Sequence, residues 1–386
     1  MAVQLLITDR NLVVQGDPLD GWTNLDCTKR FNEPGAGSVD LPARPDVMAQ
    51  LQPGNRIIVI RDGAVWQSGP LEIPSDFTWS VTEAPGWGKV TANFSDDLAL
   101  IAGYITWPTP ASAWTAQLAN TYRQLNSTNA ETIIRTLVDE NCGPGARAER
   151  RIPRLALDAV AGAGASTTVK TRFEPLLDAC RRVAVAGGGI GFRTRLTSTQ
   201  LLFGCYQPRD LTATARFSIG LGNLRAIQAK RSAPTITHAL IAGTEPETGT
   251  SGRSYVQVAD STAAATWWRV ERYVDGPADN DTNGELTQAG TEELAGGSAP
   301  VELATVTVDT PDLKAGRDFD LGDRVTVALP YGVEVADLVR SIHLQATPDG
   351  GEYVTTLIGS PEATTDPQMV KAMRTLGRRL GRLETR

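Results

Sequence analysis

The sequence predicts a mainly β protein of the α+β class, built from two antiparallel β-barrels, a small α/β insert and a C-terminal helix. Three observations support this prediction: β-branched runs bounded by turn residues, a Gly-x-Arg motif that precedes a strand and occurs twice, and two amphipathic helices confined to the middle of the chain. With 386 residues, of which 41% are hydrophobic, the chain can form two or three compact domains. The predicted regions are a first β-barrel (1–97 with about 210–232), an α/β insert (98–209), a second β-barrel with an acidic helical excursion (233–362) and a basic C-terminal helix (366–386).

The first barrel is predicted from a hairpin. A β-branched run covers residues 57–60, Asp62 and Gly63 supply a tight turn, and the chain returns through residues 65–68. Two-residue turns that contain Gly favour the primed types, whose twist matches that of the flanking strands. Further strands are predicted on either side of a break at Pro85, at residues 78–81 and 89–94.

The insert is predicted to combine two helices with a short sheet. Capping residues at 127–131 precede a helix whose apolar face holds Ile133, Ile134, Leu137 and Val138. A second helix carries Leu176, Leu177, Cys180 and Val183 on one side. The glycines at 187–189 end that helix, and strands are predicted at 189–196 and 199–206.

The repeated Gly-x-Arg motif suggests that the two barrels are related. Residues 51–60 and 318–329 share a Gly, one polar residue and an Arg ahead of an alternating β-branched strand, with Gly54 and Gly322 as the turn residues. Two copies separated by an insert predict two similar β-barrels. Further strands are predicted at 224–230, 237–243, 254–259 and 301–308, and an acidic helix with a solvated face at 285–295.

The last predicted element is a basic helix that begins at Asp366 and Pro367. Its apolar seam has the 3.5-residue period of a coiled coil and consists of Met369, Met373, Leu376, Leu380 and Leu383. Its basic docking face consists of Lys371, Arg374, Arg378, Arg379 and Arg382. About two heptads, with Gly377 and Gly381 each costing about 1 kcal/mol in a helix interior, cannot hold an oligomer together alone. Self-association, docking into a groove of a partner, and a surface helix that closes the last domain therefore remain open.

Few residues of this chain suit catalysis or metal binding. The cysteines have no CxxC pair, which predicts buried free thiols instead of a zinc site or a disulfide framework: Cys27, Cys142, Cys180 and Cys205. The two histidines, His238 and His343, lie in predicted strands without a nucleophile elbow. We therefore predict no catalytic, cofactor-binding or metal-binding residues, and no cofactor.

The charge is distributed unevenly along the chain. Acidic residues dominate the segment 271–323, whereas basic residues dominate 369–386, within a net charge of −7. The acidic remainder would repel phosphate and no aromatic residue is interleaved with the terminal arginines, so the basic tail favours an acidic protein surface over nucleic acid. No run of about 18 apolar residues occurs and the N-terminal segment soon reaches Asp9, so neither a membrane span nor a signal peptide is predicted.

Six segments, taken in order, resemble landmarks of the siphophage minor tail proteins that form the baseplate or tail-tip hub. They are LQPGNRIIVIRDG (51–63) with WQSGPL (66–71), the helix around Leu176 with AVAGGG (184–189), GNLRAI (222–227), WWRVERYVD (267–275), DFDLGDRV (318–325) and the basic terminal helix. The resemblance covers nearly the whole chain, and its specificity lies in the order and spacing of the segments.

The resemblance implies a structural hub subunit without catalysis. It implies two tail-tube-like β-barrels per chain, a homotrimeric ring that closes the tail tube, and a connection to fibres or a spike. The implied partners are other copies of the chain, distal tail and tail tube proteins, tail fibre or spike proteins and, transiently, phage DNA in the lumen. The implied location is the tail tip of the virion, after synthesis in the cytoplasm of the bacterial host. Part of the acidic surplus is expected to line the lumen, since acidic walls would not bind passing phosphates.

Two other functions remain open. A glycan-active enzyme would use paired carboxylates, with tryptophans stacking on sugars: Trp66, Trp79, Trp87, Trp107, Trp114, Trp267 and Trp268. Most acidic residues, however, precede Gly or Pro, as turn residues do. A monomeric carbohydrate-binding module of the tail tip is compatible with a duplicated barrel but has no need of the heptad seam.

Overall fold

The fold is known from a computed structural model, which describes residues 3–80, 84–117, 121–231, 233–244, 252–276, 278–282, 284–297, 301–329 and 332–359. Strand predominates over helix, 43% against 18%, which confirms the predicted mainly β, α+β class. The strands are β1 Gln4–Thr8, β2 Asn24–Arg30, β3 Glu33–Pro42, β4 Arg56–Arg61, β5 Ala64–Ser80, β6 Ala84–Ser95, β7 Arg123–Asn129, β8 Leu155–Leu157, β9 Ser166–Thr171, β10 Gly191–Leu196, β11 Leu201–Tyr206, β12 Arg216–Phe217, β13 Leu224–Arg231, β14 His238–Ala242, β15 Tyr255–Ala259, β16 Glu271–Asp275, β17 Val301–Thr307, β18 Arg324–Ala328, β19 Glu334–Thr347 and β20 Gly351–Ile358. The helices are α1 Pro45–Gln50, α2 Leu98–Ala102, α3 Ala130–Asn141, α4 Leu176–Ala186, α5 Ser261–Thr266 and α6 Glu285–Gly297, with 3₁₀ turns at Trp114–Ala116 and Ala148–Arg150.

The largest sheet joins the first and the last strands of the described chain. Its strands lie in the order β1-β4-β5-β6-β3-β2-β19-β18-β12, and β20 pairs with β19. β2 and β19 run antiparallel, with Cys27 opposite Leu344. Apolar side chains from both ends form one core, in which Leu25, Val39 and Val325 are fully buried. Strands predicted for two separate barrels therefore share a sheet and a core, while the division of the chain into domains stays a prediction.

The predicted hairpin and the turns at both Gly-x-Arg motifs are confirmed. Asp62 and Gly63 have φ angles of 51° and 79°, as a type I′ turn between β4 and β5 requires. Gly54 and Gly322 have φ angles of 84° and 83°, in the left-handed region where a Cβ is disfavoured. The repeated sequence therefore encodes the same turn twice.

The α/β insert has a core of its own. α3 begins after Asn129, whose side chain accepts a hydrogen bond from the Thr132 backbone N–H at 3.3 Å. The predicted apolar faces of α3 and α4 are buried in this core: Ile133, Ile134, Leu137, Val138, Leu176, Leu177, Cys180 and Val183. β10 pairs antiparallel with β11, β8 joins β11 in parallel, and β7 pairs with β9. Both predicted helices and both predicted strands of the insert are confirmed.

A smaller unit packs on the insert. Its sheet has the order β15-β14-β16 and packs against α6 through Ala239, Ile241 and Leu286. A separate two-stranded sheet is formed by β13 and β17. The acidic helix predicted at 285–295 is confirmed as α6, but its expected solvated face is not wholly solvated. Glu285 is buried, and its Oε1 accepts a hydrogen bond from Gln124 Nε2 at 3.1 Å, because the insert covers the start of the helix.

Candidate assembly surfaces

Residues 72–80 of β5 and 84–88 of β6 form an edge of the large sheet with a two-stranded tip, here called the aromatic ribbon. β4 pairs with β5 only as far as Pro70, and β3 pairs with β6 only from Lys89 onward. Beyond Leu71, β5 therefore has only β6 as a neighbour among the described strands. It pairs first with residues 89–93 of β6, which also pair with β3, and then with the tip, residues 84–88. Four large apolar side chains of the ribbon are more than half exposed: Ile73, Phe77, Trp79 and Trp87.

Local sequence explains how the ribbon holds its aromatic rings. Phe77 and Trp79 are two residues apart on β5, where the pairing with β6 shifts register between Thr78 and Ser80. Gly88 has a φ of 80°, and a Cβ there would lie 3.0 Å from the Phe77 ring, so glycine allows the ring to lie against the strand. Trp79 Nε1 donates a hydrogen bond to the Gly86 carbonyl at 3.3 Å. Exposed apolar clusters of this kind mark interaction surfaces.

The outer side of the β15-β14-β16 sheet is a second open apolar surface, here called the tyrosine face: Leu240, Tyr255 and Tyr273. α6 covers the opposite side of the sheet, whereas these three side chains are more than one third exposed. Leu240 pairs with Tyr273 across the strands, which brings the two side chains together. The Tyr273 hydroxyl lies 2.7 Å from Arg253 Nη1, so a polar contact orients this ring.

A buried ion pair anchors the start of the β4–β5 hairpin, from which the ribbon extends. Arg56 Nη2 lies 2.5 Å from Asp97 Oδ1, and Ser68 Oγ donates a hydrogen bond to Asp97 Oδ2 at 2.6 Å. Burial raises the pKa of Asp97, and Arg56 opposes this only in part. The neighbouring Asp96 accepts a hydrogen bond from the Gly35 N–H at 2.7 Å, and burial raises its pKa to about 6. Two carboxylates thus join the large sheet to the first helix of the insert.

The predicted seam and docking face cannot be located on this surface. Their residues lie outside the described part of the chain: Met369, Met373, Leu376, Leu380 and Leu383 for the seam, and Lys371, Arg374, Arg378, Arg379 and Arg382 for the basic face. Their roles in self-association or docking stay predictions.

The histidines and cysteines have the structural positions that the sequence predicts. His238 lies at the start of β14, and His343 lies within β19 with its Nε2 2.7 Å from Asp26 Oδ1. All four cysteines are buried and free. No group of three or more His, Cys, Asp or Glu side chains in the described ranges is placed to hold a metal ion. The described helices are too short or too polar to cross a membrane.

The tryptophans considered for sugar stacking have different surroundings. Lys29 Nζ lies 3.8 Å from the centroid of Trp66, and the Arg150 guanidinium lies 4.0 Å from that of Trp107, so a cation already covers each of these rings. The exposed rings are on three separate elements: Trp79 and Trp87 on the ribbon, Trp114 in a 3₁₀ turn and Trp268 before β16.

Sequence reasoning missed the ribbon because it expected a break at Pro85. The structure places Pro85 and Gly86 inside β6, which begins at Ala84, and Ala84 pairs with Ser80 of β5. The alternation of Phe77 and Trp79 with polar residues was a strand signal. That alternation did not indicate that the rings of Phe77 and Trp79 would lie outside the core.

Comparisons with known proteins place the chain in a family. The family model of the Siphovirus ReqiPepy6 Gp37-like protein matches residues 4–360. The 43 kDa tail protein of prophage MuSo2 from Shewanella oneidensis is 14% identical, with a TM-score of 0.58 over 93% of this chain and 99% of its own. A tail protein of Neisseria meningitidis MC58 is 13% identical, with a TM-score of 0.54 over 93% of this chain and 96% of its own. These two likenesses show a shared fold.

No protein among the curated sequences matches the chain. The family match covers more than half of the chain, and it confirms the resemblance inferred from the ordered segments. The chain belongs to the Siphovirus ReqiPepy6 Gp37-like family.

Proposed function

We propose that this protein is a structural hub subunit of a long-tailed phage tail tip or baseplate, and that three copies form a ring that closes the tail tube. Membership of a siphovirus protein family supports a role in a phage particle. The observation that carries self-assembly is the aromatic ribbon. The ribbon leaves one edge of β5 unpaired beyond Pro70, and its tip has only two strands, so its exposed apolar side chains favour burial against another protein surface.

A ring requires two different surfaces on each subunit. Contacts between unlike patches lead from one copy to the next and close by rotation, whereas contacts between identical patches stop at a dimer. The aromatic ribbon and the tyrosine face are two such unlike surfaces, and both present aromatic rings of the kind enriched at protein interfaces.

We also propose which proteins the ring contacts and where it is located. The ring would join distal tail and tail tube proteins on one side and fibre or spike proteins on the other, with an acidic lumen that DNA crosses transiently. The terminal helix would add to self-association or dock on one of these partners. The subunit would be made in the host cytoplasm and reside at the tail tip of the virion.

Size-exclusion chromatography with light scattering tests the ring directly. The purified chain is expected to have three times its 41.2 kDa mass. Replacing Trp79 and Trp87 with Ser should shift the population toward monomer, because buried interface tryptophans often contribute about 2 kcal/mol or more each.

The matched control is Trp114→Ser, since Trp114 is at least as exposed but lies outside both surfaces. This variant should keep the mass of the parent protein. A chain that stays monomeric at high concentration, and that fails to join other tail proteins, would contradict the proposal.

A further inference from the structure

A cavity of about 660 Å³ opens where three parts of the chain meet. The large sheet contributes β2 and the turn between β4 and β5, the insert contributes β10 and β11, and the loop before β18 closes the remaining side. Its volume lies within the range of ordinary ligand pockets. Seven basic side chains and four aspartates line it: Lys29, Arg30, Arg61, Arg193, Arg195, Lys314 and Arg317, with Asp62, Asp96, Asp97 and Asp320.

The ammonium group of Lys29 is largely buried in this cavity and has only weak partners. Lys29 Nζ lies 4.0 Å from Asp320 Oδ1 and 3.8 Å from the centroid of the Trp66 ring, and its side chain is only 18% exposed. Lys29 Nζ donates no hydrogen bond to the described residues. Burial lowers the pKa of Lys29, and Asp320 opposes the shift only in part. A desolvated ammonium with three unused N–H groups favours an incoming anion.

The basic side chains around Lys29 have fewer carboxylate partners than positive charges. Arg193 Nη1 lies 2.9 Å from Asp320 Oδ2, so Arg193 and Lys29 share a single carboxylate. Lys314 has no carboxylate within 4.0 Å in the described ranges. Arg61, by contrast, is already engaged by two carboxylates, those of Asp309 and Glu352.

A second polar group of the lining also lacks a partner. Gln67 is 4% exposed, and neither its amide nitrogen nor its amide oxygen has a hydrogen-bond partner among the described residues. Most buried polar groups in proteins are hydrogen-bonded, so this amide adds an unpaired polar group to the wall behind the cavity, although its own atoms are closed to solvent.

We propose that this cavity binds an acidic segment of a partner protein, with a side-chain carboxylate accepting hydrogen bonds from Lys29 and Arg193. A singly charged carboxylate suits the site better than a phosphate, because four aspartates line the same walls and would repel a higher charge. A segment of a few residues suits the volume, whereas a nucleic acid duplex does not. Such a segment would contact the sheet, the insert and the loop before β18 together.

Lysine acylation read by mass spectrometry tests the site in the full-length protein. A capped tetraglutamate peptide is expected to protect Lys29 and Lys314 several-fold, while the exposed Lys89 stays equally reactive. Tetraglutamine, inorganic phosphate and a duplex oligonucleotide at matched ionic strength form the other arms. Protection that is equal at all lysines, or stronger with phosphate or duplex than with tetraglutamate, would overturn the proposal.

Calorimetric titration of variants with the same peptide provides the second test. Lys29→Gln should weaken binding on the order of tenfold, because a hydrogen bond between charged groups is lost. Lys29→Arg keeps the charge and should retain most of the affinity. Lys89→Gln is the matched control and should bind like the parent, and equal affinities for Lys29→Gln and Lys89→Gln would reject the site. None of these results depends on whether the chain forms a ring.

Discussion

In both copies of the Gly-x-Arg motif, a buried polar residue follows the glycine, and its side chain forms a hydrogen bond with a nearby backbone group. Asn55 Nδ2 donates to the Gln50 carbonyl at 2.8 Å in the first copy. Asp323 Oδ2 accepts from the Asp320 N–H at 2.8 Å in the second. The next residue, arginine in both copies, behaves differently. Arg56 is buried, whereas the matching arginine of the second copy is exposed.

The two ends of the insert explain this difference. Asp97, just before the insert, supplies the carboxylate that pairs with the buried Arg56. Arg209, the last residue of the insert, supplies the guanidinium that lies 2.5 Å from the buried Asp323. Arg324 has no carboxylate within 4.0 Å in the described ranges. The same local sequence therefore gives the same turn, while the neighbouring segment decides which charge is buried.

The largest expected effect is the loss of the first buried pair. Arg56→Ala should lower the free energy of unfolding by about 3–5 kcal/mol, because it leaves Asp97 buried without its counter-ion. Arg324→Ala, at the matching position, should stay within about 0.5 kcal/mol of the parent. Chemical denaturation measures both values. Equal losses would show that the two copies of the motif do not differ in the way described.

The second effect is a pH dependence confined to the surroundings of the first copy. The pKa of Asp96 is about 6 in the folded protein against an ordinary value of 3.8, so the folded state holds this proton longer. The contribution of Asp96 to stability is therefore fully present below pH 3.8 and is lost as the pH rises through about 6, on the order of 3 kcal/mol in total. The free energy of unfolding of the parent minus that of Asp96→Asn should fall across this window. A difference that does not change with pH would contradict the assignment.

The third effect compares the two turn glycines. Gly54→Ala should cost about 1–2 kcal/mol, since the left-handed φ is strained for alanine and no atom lies within 4 Å of the added Cβ. Gly322→Ala should cost about 1–3 kcal/mol more, because its Cβ would lie 2.3 Å from the Phe31 ring. Thermal unfolding of the two variants side by side measures the difference. A larger loss at Gly54 would reverse the expected order.

The smallest effect is expected at the second ion pair. Arg209→Ala should cost about 1 kcal/mol or less, because the Arg209 side chain is half exposed and water screens the pair. Asp323 keeps hydrogen bonds from two backbone N–H groups, those of residues 209 and 320, in the variant. A loss as large as that of Arg56→Ala, measured by the same denaturation, would make the two pairs equivalent.

Much of the fold could be predicted because its signals are local. The I′ turn at Asp62 and Gly63, the apolar faces of α3 and α4, and the two glycine turns each depend on a few neighbouring residues. The ribbon could not be predicted in the same way. Whether Phe77 and Trp79 are covered depends on how far β3 and β4 extend beside them, and periodicity does not report that length.

The cavity could not be predicted from the sequence either. Lys29, Gln67 and Arg193 are ordinary polar residues in sequence, and they come together only because β2, β5 and β10 converge. The sequence by itself determined the mainly β class, the insert with its two helices, the repeated turns and the buried thiols, since these follow from short-range sterics and patterning. Only the tertiary structure decided that the first and last described strands share one sheet, which arginine is buried, and which apolar and charged side chains lack partners among the described residues. The reason is physical: burial and ion pairing are set by segments distant in sequence, such as β2 against β19 and Asp97 against Arg56.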